Sequence, residues 1–223
     1  DKGVEFIKGE VQKLEVESKK IGGIVLSNGS RIQVGNVVNA TGPRAPILAK
    51  RANFSLPIEA RKRFTFLFKC ASKLTGDLPL VIDPSGVHVR SDGDQFLCGC
   101  APDTDDEVAF NDFAVDYQLW ETKIWPILAH RIPAFEKIKL SNAWAGHYAF
   151  NTYDQNAIVG PHPEITNFFL ANGFSGHGLQ QSPAVGRGIS ELIIYDKYIN
   201  LDLEALSPIR LIEKKPFLER AII

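Results

Sequence analysis

From Val4 to Thr41 the apolar positions fall in short alternating runs, VEFIKG, VQKLEVES, GGIVLSNGSRIQV and NVVNATG, separated by Gly-Gly and Asn-Gly. Alternation with a period of two predicts strands, so this part is expected to form a small β-meander and then a buried strand. That strand ends at Gly42-Pro43, and RAPILAKRA has the spacing of a short helix. The middle of the chain carries RFTFLFKCA (63 to 71), PLVID (79 to 83), GVHVRS (86 to 91) and QFLCGCA (95 to 101), separated by Pro-Ser-Gly and Asp-Gly turns. Such runs predict a mostly antiparallel sheet.

The acidic PDTDDE (102 to 107) is expected to be a solvated loop. DFAVDYQLWETKIWPILAHRI (112 to 132) has apolar residues at helical spacing, with Pro126 placed to kink or end the first helix and the tryptophans expected in the core. AFEKIKLSNAWAGHYAFNTYDQNAIVG reads as strand, irregular turn and strand, and NFFLANG (167 to 173) as an apolar strand ending in glycine. Ser182 and Pro183 then predict a helix start, continued by AVGRGISELIIYDKY.

Composition narrows the picture only a little. With 223 residues, 44% hydrophobic and 23% charged, the chain is long enough for one sizeable core or two small ones, a single compact body being the simpler expectation. A formal net charge of −1 and the lack of a basic run give no reason to expect nucleic acid or an anionic membrane as partner. No apolar segment approaches the roughly 18 residues of a transmembrane helix, and the start reads as strands, not as a signal peptide. Cys70, Cys98 and Cys100 are an odd set without metal-type spacing, which predicts free thiols in a reducing compartment, with Cys98 and Cys100 buried on one strand face. The chain opens in mid-pattern and holds no methionine, where about four or five would be expected at a usage of roughly 2%. Both features point to a portion of a longer protein.

Candidate chemistry centres on ANGFSGHGLQQSPAVGRGISELI, where Gly173, Gly176 and Gly178 crowd in front of a helical pattern. Each glycine costs about 0.5–1 kcal/mol relative to alanine in regular structure. A strand, a glycine turn and a helix together aim backbone N–H groups and the positive end of a helix dipole at one place, which suits a phosphate or another electron-rich group. A purely structural helix start fits the same residues, and the G-x-G-x-x-G dinucleotide fingerprint is absent.

NATGPRA, RKRFTF, AWAGHYAFNTYDQNAIVG and FFLANGFSGHGLQQSPAVGRGISELI occur in the order and at about the spacing of the D-amino-acid oxidase superfamily of FAD-dependent oxidoreductases, which the chain resembles over nearly its whole length. That superfamily includes glycine and sarcosine oxidases. The run around Tyr153 and GFSGHGLQQ look closest to a mitochondrial branch associated with respiratory complex I assembly and its bacterial relatives. The resemblance implies an α/β (α+β) chain. Part of an FAD-binding, Rossmann-like domain (1–52 and 151–223) would flank a mixed, mostly antiparallel substrate domain (53–150), and the N-terminal βαβ unit with the pyrophosphate loop would lie outside this chain.

The resemblance also implies site residues. Val11 matches the position whose backbone faces the adenine; Ala40, Thr41 and Gly42 match the loop passing over the dinucleotide. Gly173, Phe174, Ser175, Gly176, His177, Gly178, Leu179 and Gln180 match the segment that closes over the flavin. Backbone N–H groups at a helix start would stabilise the negative charge of reduced flavin, and His177 is a further candidate donor. Arg61 and Arg63, alternate residues of one strand face, are candidates for a carboxylate or the flavin edge, the alternative being a solvated basic patch. Tyr148 and Tyr153 are candidates for the substrate side, and Asp154 is expected to stabilise its turn. FAD is expected to be non-covalent.

Two departures shape the expected activity. Relatives that oxidise amino acids usually carry an arginine after W-x-G, where this chain has His147, Tyr148 and Ala149. Some sarcosine-oxidising relatives carry a lysine after the flavin loop, where Leu179 and Gln180 stand here. The expectation is a dehydrogenase acting on a small amine or N-substituted amino acid, catalysed with Tyr148, Arg63 and His177 and passing electrons to a protein or quinone acceptor. Its compartment would be the bacterial cytoplasm or the mitochondrial matrix. The alternative is an assembly or scaffold protein for a respiratory complex, with structural FAD.

Overall fold

The computed structural model describes residues 2–72 and 74–220. These divide into two compact units instead of a single body: residues up to 59 with those from 149 onward, and residues 60–148.

The first unit opens with β1 (Val11–Glu17) and β2 (Lys20–Leu26), an antiparallel hairpin. Ser18 and Lys19 close it with φ of 48° and 62°, the left-handed pair that a two-residue hairpin turn needs. β3 (Arg31–Gln33) pairs with β2 and completes a three-stranded sheet. The expected run VEFIKG forms no strand; it pairs with none of the described strands, and Val4, Phe6 and Ile7 are exposed. β4 (Val37–Asn39) leads through a 3-10 turn, Gly42–Arg44, into α1 (Ala45–Lys50).

The second unit is a five-stranded sheet with the order β6-β7-β8-β5-β9. Its strands are β5 (Ile58–Cys70, which begins in the first unit), β6 (Val81–Ile82), β7 (His88–Asp92), β8 (Gln95–Gly99) and β9 (Ile138–Asn151, which ends in the first unit). On β5 the alternation puts Phe64, Phe66 and Phe68 in the core and Arg61 and Arg63 on the opposite face. Each such phenylalanine stabilises by about 1.5–3 kcal/mol through burial. Phe68 contacts Phe96, Phe135 and Trp120 at ring-centroid distances of 5.4, 5.1 and 5.7 Å. Cys98 and Cys100 are buried free thiols, and burial raises the pKa of both.

The helix over this sheet runs as α2 (Tyr117–Leu119), a π stretch (Trp120–Ile124) and α3 (Trp125–Arg131). Trp120, Ile124 and Leu128, four residues apart, supply its buried stripe. Pro126 neither ends the rod nor needs a break: the preceding π turn is wide enough to move earlier carbonyls away from its ring. Trp125 departs from the core expectation. It is partly exposed, and its indole N–H donates to the Phe135 carbonyl at 3.0 Å.

The chain then returns to the first unit with β10 (Ile158–Pro161), antiparallel to β11 (Phe168–Asn172), which in turn runs parallel to β4. Both faces of β11 are covered: Phe168 and Leu170 pack with Leu48, Ala49 and Ile158, while Phe169 packs with Val185, Ile189 and Leu192 of α4 (Gly178–Tyr195). That double burial is why NFFLANG is continuously apolar. α4 starts at Gly178, four residues before the expected Ser182. Pro183 sits inside it, unable to donate to the Leu179 carbonyl, and the Ser182 hydroxyl donates to that carbonyl instead at 2.9 Å. α5 (Ile209–Ile212) is the last helix among the described residues. Among the described residues, no helix is long and apolar enough to cross a membrane.

Candidate functional site

In the first unit, the two segments matched to the cofactor leave the carboxyl ends of adjacent parallel strands, the place where open α/β sheets bind ligands. Asn39 ends β4 and Asn172 ends β11, and Asn172 Nδ2 lies 3.4 Å from Asn39 Oδ1. The same Asn39 oxygen accepts from the Thr41 hydroxyl at 2.8 Å and the Thr41 N–H at 3.3 Å. Its amide donates to the Ala45 carbonyl at 3.0 Å. Asn39 therefore folds Ala40, Thr41 and Gly42 into a tight loop, in which Gly42 has a φ of +58°. Asn172 Oδ1 is buried without a partner among the described residues.

Val11 and Thr41 meet in one open cleft of about 360 Å³, lined also by Gly9, Arg44, Leu48 and Arg51. Arg51 donates to the Val11 carbonyl and fixes that strand end.

The glycine segment is a strained turn held from below. Gly173, Ser175 and Gly176 have φ of 67°, 47° and 102°. The Ser175 hydroxyl accepts from the Asn151 N–H at 3.0 Å, and its own N–H donates to the Ala149 carbonyl at 3.1 Å. A Cβ on Gly173 would stand 3.2 Å from Ile58 and 3.3 Å from Asn151, so glycine is needed there for space as well as conformation. A Cβ on Gly178 would meet only Phe174 at an ordinary 3.4 Å, so the fold itself does not require that glycine. α4 begins at Gly178 after His177 with no side-chain cap, leaving first-turn N–H groups without intrahelical partners. Leu179, beside them, is 86% exposed, and Phe174 is half-buried against α4. This donor set fits an electron-rich group bound at the strand ends, whereas the orphaned Asn172 oxygen, an acceptor, calls for a donor.

The turn after β9 is anchored by Asp154, which is an ion-pair partner and not a free base. Arg210 donates to both its oxygens, Nε at 2.7 Å and Nη2 at 3.0 Å, and both side chains are buried. Burial alone would raise the Asp154 pKa, but Arg210 and the N–H groups of Phe217 and Asn156 hold it below the ordinary value. The Tyr153 hydroxyl is buried without a partner among the described residues, which does not suit an open substrate wall. Glu191 of α4 accepts from Ile199 and Asn200, and these bonds lower its pKa to about 2.

In the second unit the structure brings Arg63 and Tyr148 together, the guanidinium lying 4.9 Å from the ring centroid. Arg63 is not a solvated basic residue. Its side chain is 11% exposed, and Nη1 and Nη2 donate to the two Asp105 oxygens at 2.6 and 2.8 Å, while Arg61 lies 3.9 Å from the same carboxylate. The acidic loop is mostly exposed, as expected of a solvated loop, but it is tethered at several points. Asp103 forms an ion pair with Lys123, and Glu107 is joined to Arg61 of β5 by an antiparallel backbone bridge. His147 is 2.7 Å through Nε2 from the Asp112 carbonyl and stacks on Phe113 at 4.3 Å. His177 belongs to the first unit and Arg63 and Tyr148 to the second. Asn39, Asn172 and Asp105 were not among the sequence candidates. Asn39 and Asn172 each stand immediately before a matched segment, and Asp105 lies in a charge run opposite RKR.

The model of the DAO family, described as FAD dependent oxidoreductase, matches residues 1–192. The FAD-dependent oxidoreductase domain-containing protein 1 of Xenopus laevis is 40% identical over 205 residues, covering 86% of this chain and 41% of that protein. Human mitochondrial sarcosine dehydrogenase is 26% identical over 189 residues, 80% of this chain and 20% of that one. Among solved structures, L-proline dehydrogenase from P. horikoshii superposes with a TM-score of 0.82 at 28% identity, covering 93% of this chain and 55% of the other. The chain thus spans about two-fifths of the length of the Xenopus relative.

Proposed function

The chain belongs to the DAO family of FAD-dependent oxidoreductases, and on that premise we propose that the whole protein oxidises the C–N bond of a small amine or N-substituted amino acid. The single observation that carries this reading is the pair of matched loops leaving adjacent parallel strand ends, joined through Asn39 and Asn172. Residues 1–59 and 149–220 are the cofactor part, and residues 60–148 the substrate part. Val11 and Thr41, in their shared cleft, hold the adenosine side. The uncapped start of α4, with Gly176, His177 and Gly178, would supply N–H donors to the electron-rich part of the flavin. When bound, FAD supplies the two-electron acceptor. Arg63 and Tyr148 bind the carboxylate of an amino-acid substrate, a bidentate role that suits a planar guanidinium already stacked on a ring. Leu179 and Gln180 in place of a lysine favour an acceptor other than oxygen, either a protein or a quinone.

The scaffold reading, with structural FAD, is favoured by one observation: Asp105 already engages Arg63. Anaerobic mixing of the full-length flavoprotein with a panel of N-methyl and free amino acids separates the two. Bleaching of the flavin band by at least one of them is expected, and slow return of colour in air would mark a dehydrogenase. No bleaching by any member would overturn the enzyme reading.

A further inference from the structure

Arg63 is held in place by more than its ion pair. Its guanidinium lies over the Tyr148 ring, and Nη1 also donates to the Lys62 carbonyl at 3.0 Å. Neither support involves Asp105, so the planar fork keeps its aim if that carboxylate leaves. Asp105 differs in kind. It is 28% exposed against 11% for Arg63, and it sits in an irregular stretch, residues 102 to 107, pinned on one side by the Asp103–Lys123 ion pair and on the other by the backbone bridge between Glu107 and Arg61. Arg63 Nε is buried without a partner among the described residues, so the end-on pair leaves one donor unused.

A preorganised cationic fork met by a carboxylate on a loop has the form of a ligand site filled by the chain itself. We propose that Arg63 and Tyr148 form a binding site for a small carboxylate and that Asp105 is its internal occupant, displaced when a ligand carboxylate enters. Asp105 then sets specificity by competition. A ligand without a carboxylate cannot replace the charge-assisted pair, whereas one with it exchanges like for like. The inference rests on the substrate-side reading of Arg63 and Tyr148 given above and deepens it by naming what must be displaced.

The test uses the full-length, FAD-loaded protein with acetate as probe and acetamide as its uncharged control, read by titration calorimetry. Asp105→Asn keeps the shape of the loop side chain but removes the competing charge. Acetate affinity is expected to rise about tenfold, the scale of one charge-assisted hydrogen bond, with acetamide silent and the gain lost in Arg63→Lys/Asp105→Asn. An unchanged acetate affinity in Asp105→Asn, or a gain that survives Arg63→Lys, overturns the proposal, as does acetate binding by neither protein. The unsubstituted protein supplies a second readout. Saturating acetate should lower hydrogen-exchange protection of residues 102 to 107, and unchanged protection contradicts displacement. Flavin bleaching enters neither readout, so this site and the oxidoreductase reading can fail separately.

Discussion

In residues 60–148 the buried side chains are apolar, with Phe66, Phe68, Phe96, Phe135 and Trp120 in ring contact, whereas every buried polar or charged side chain among the described residues lies in the other unit. The difference follows what each unit has to hold. Rings stabilise a regular sheet mainly through buried area, with a smaller contribution from edge-to-face geometry, and they fix no backbone polar group. The first unit must fix irregular backbone, and only directional bonds do that. Asn167 accepts from the Ile21 N–H and donates to the carbonyls of Ile21 and Gly35, Glu191 gathers residues 199 and 200, and Asp154 ties its own turn to Arg210 and Phe217. Loops positioned in this way are where ligand-binding groups concentrate. In the second unit the most enclosed ion pair lies at the end of β5, between Arg63 and Asp105 with Arg61 beside them, and the other pairs, such as Arg131 with Asp83 and Lys69 with Asp94, are more exposed.

The contrast can be tested by damaging each unit in its own currency. Phe68→Ala should cost most, about 4 kcal/mol in urea unfolding, because it opens a cavity among three rings. Asp154→Ala should cost about 3 kcal/mol by leaving the Arg210 charge buried and unpaired. Replacing both Asp154 and Arg210 by leucine should recover much of that loss, while no partner substitution rescues Phe68→Ala. The Asp154 deficit should also depend on pH. The folded-state carboxyl has a lowered pKa, so its contribution is complete above the ordinary value of about 3.9 and is lost as pH falls through the folded value. Asn39→Ala should cost about 1–2 kcal/mol by releasing Thr41 and the Ala45 carbonyl, and it should weaken FAD binding in the full-length protein, measured by fluorescence of released flavin. Ser182→Ala should cost least, about 0.5–1 kcal/mol, since it removes only the hydroxyl that covers for Pro183.

The apolar half of this contrast was legible in the sequence and the polar half largely was not. Phe64, Phe66 and Phe68 announce their strand through a period of two, and NFFLANG announces a strand buried on both faces. Nothing local marks Asn167 as the partner of Ile21, 146 residues away, or Asn172 as the partner of Asn39, 133 residues away. Arg210 and Asp154, 56 residues apart, are equally silent. Pattern encodes burial, whereas a directional bond appears only once the fold has brought its two ends together. The early start of α4 was missed for a related reason: Pro183 looks like a helix beginning until the Ser182 hydroxyl is seen on the Leu179 carbonyl. The glycine segment stood out by composition and resemblance as a candidate ligand turn, but its support by Ser175 and Asn151 was not legible.

The most direct test of the division between a polar-anchored cofactor unit and an aromatic sheet is hydrogen exchange of the full-length protein with and without FAD. The account predicts added protection at residues 9 to 11, 39 to 44 and 173 to 181, with residues 64 to 68 unchanged. Protection absent from 173 to 181, or concentrated in 64 to 68, would contradict it.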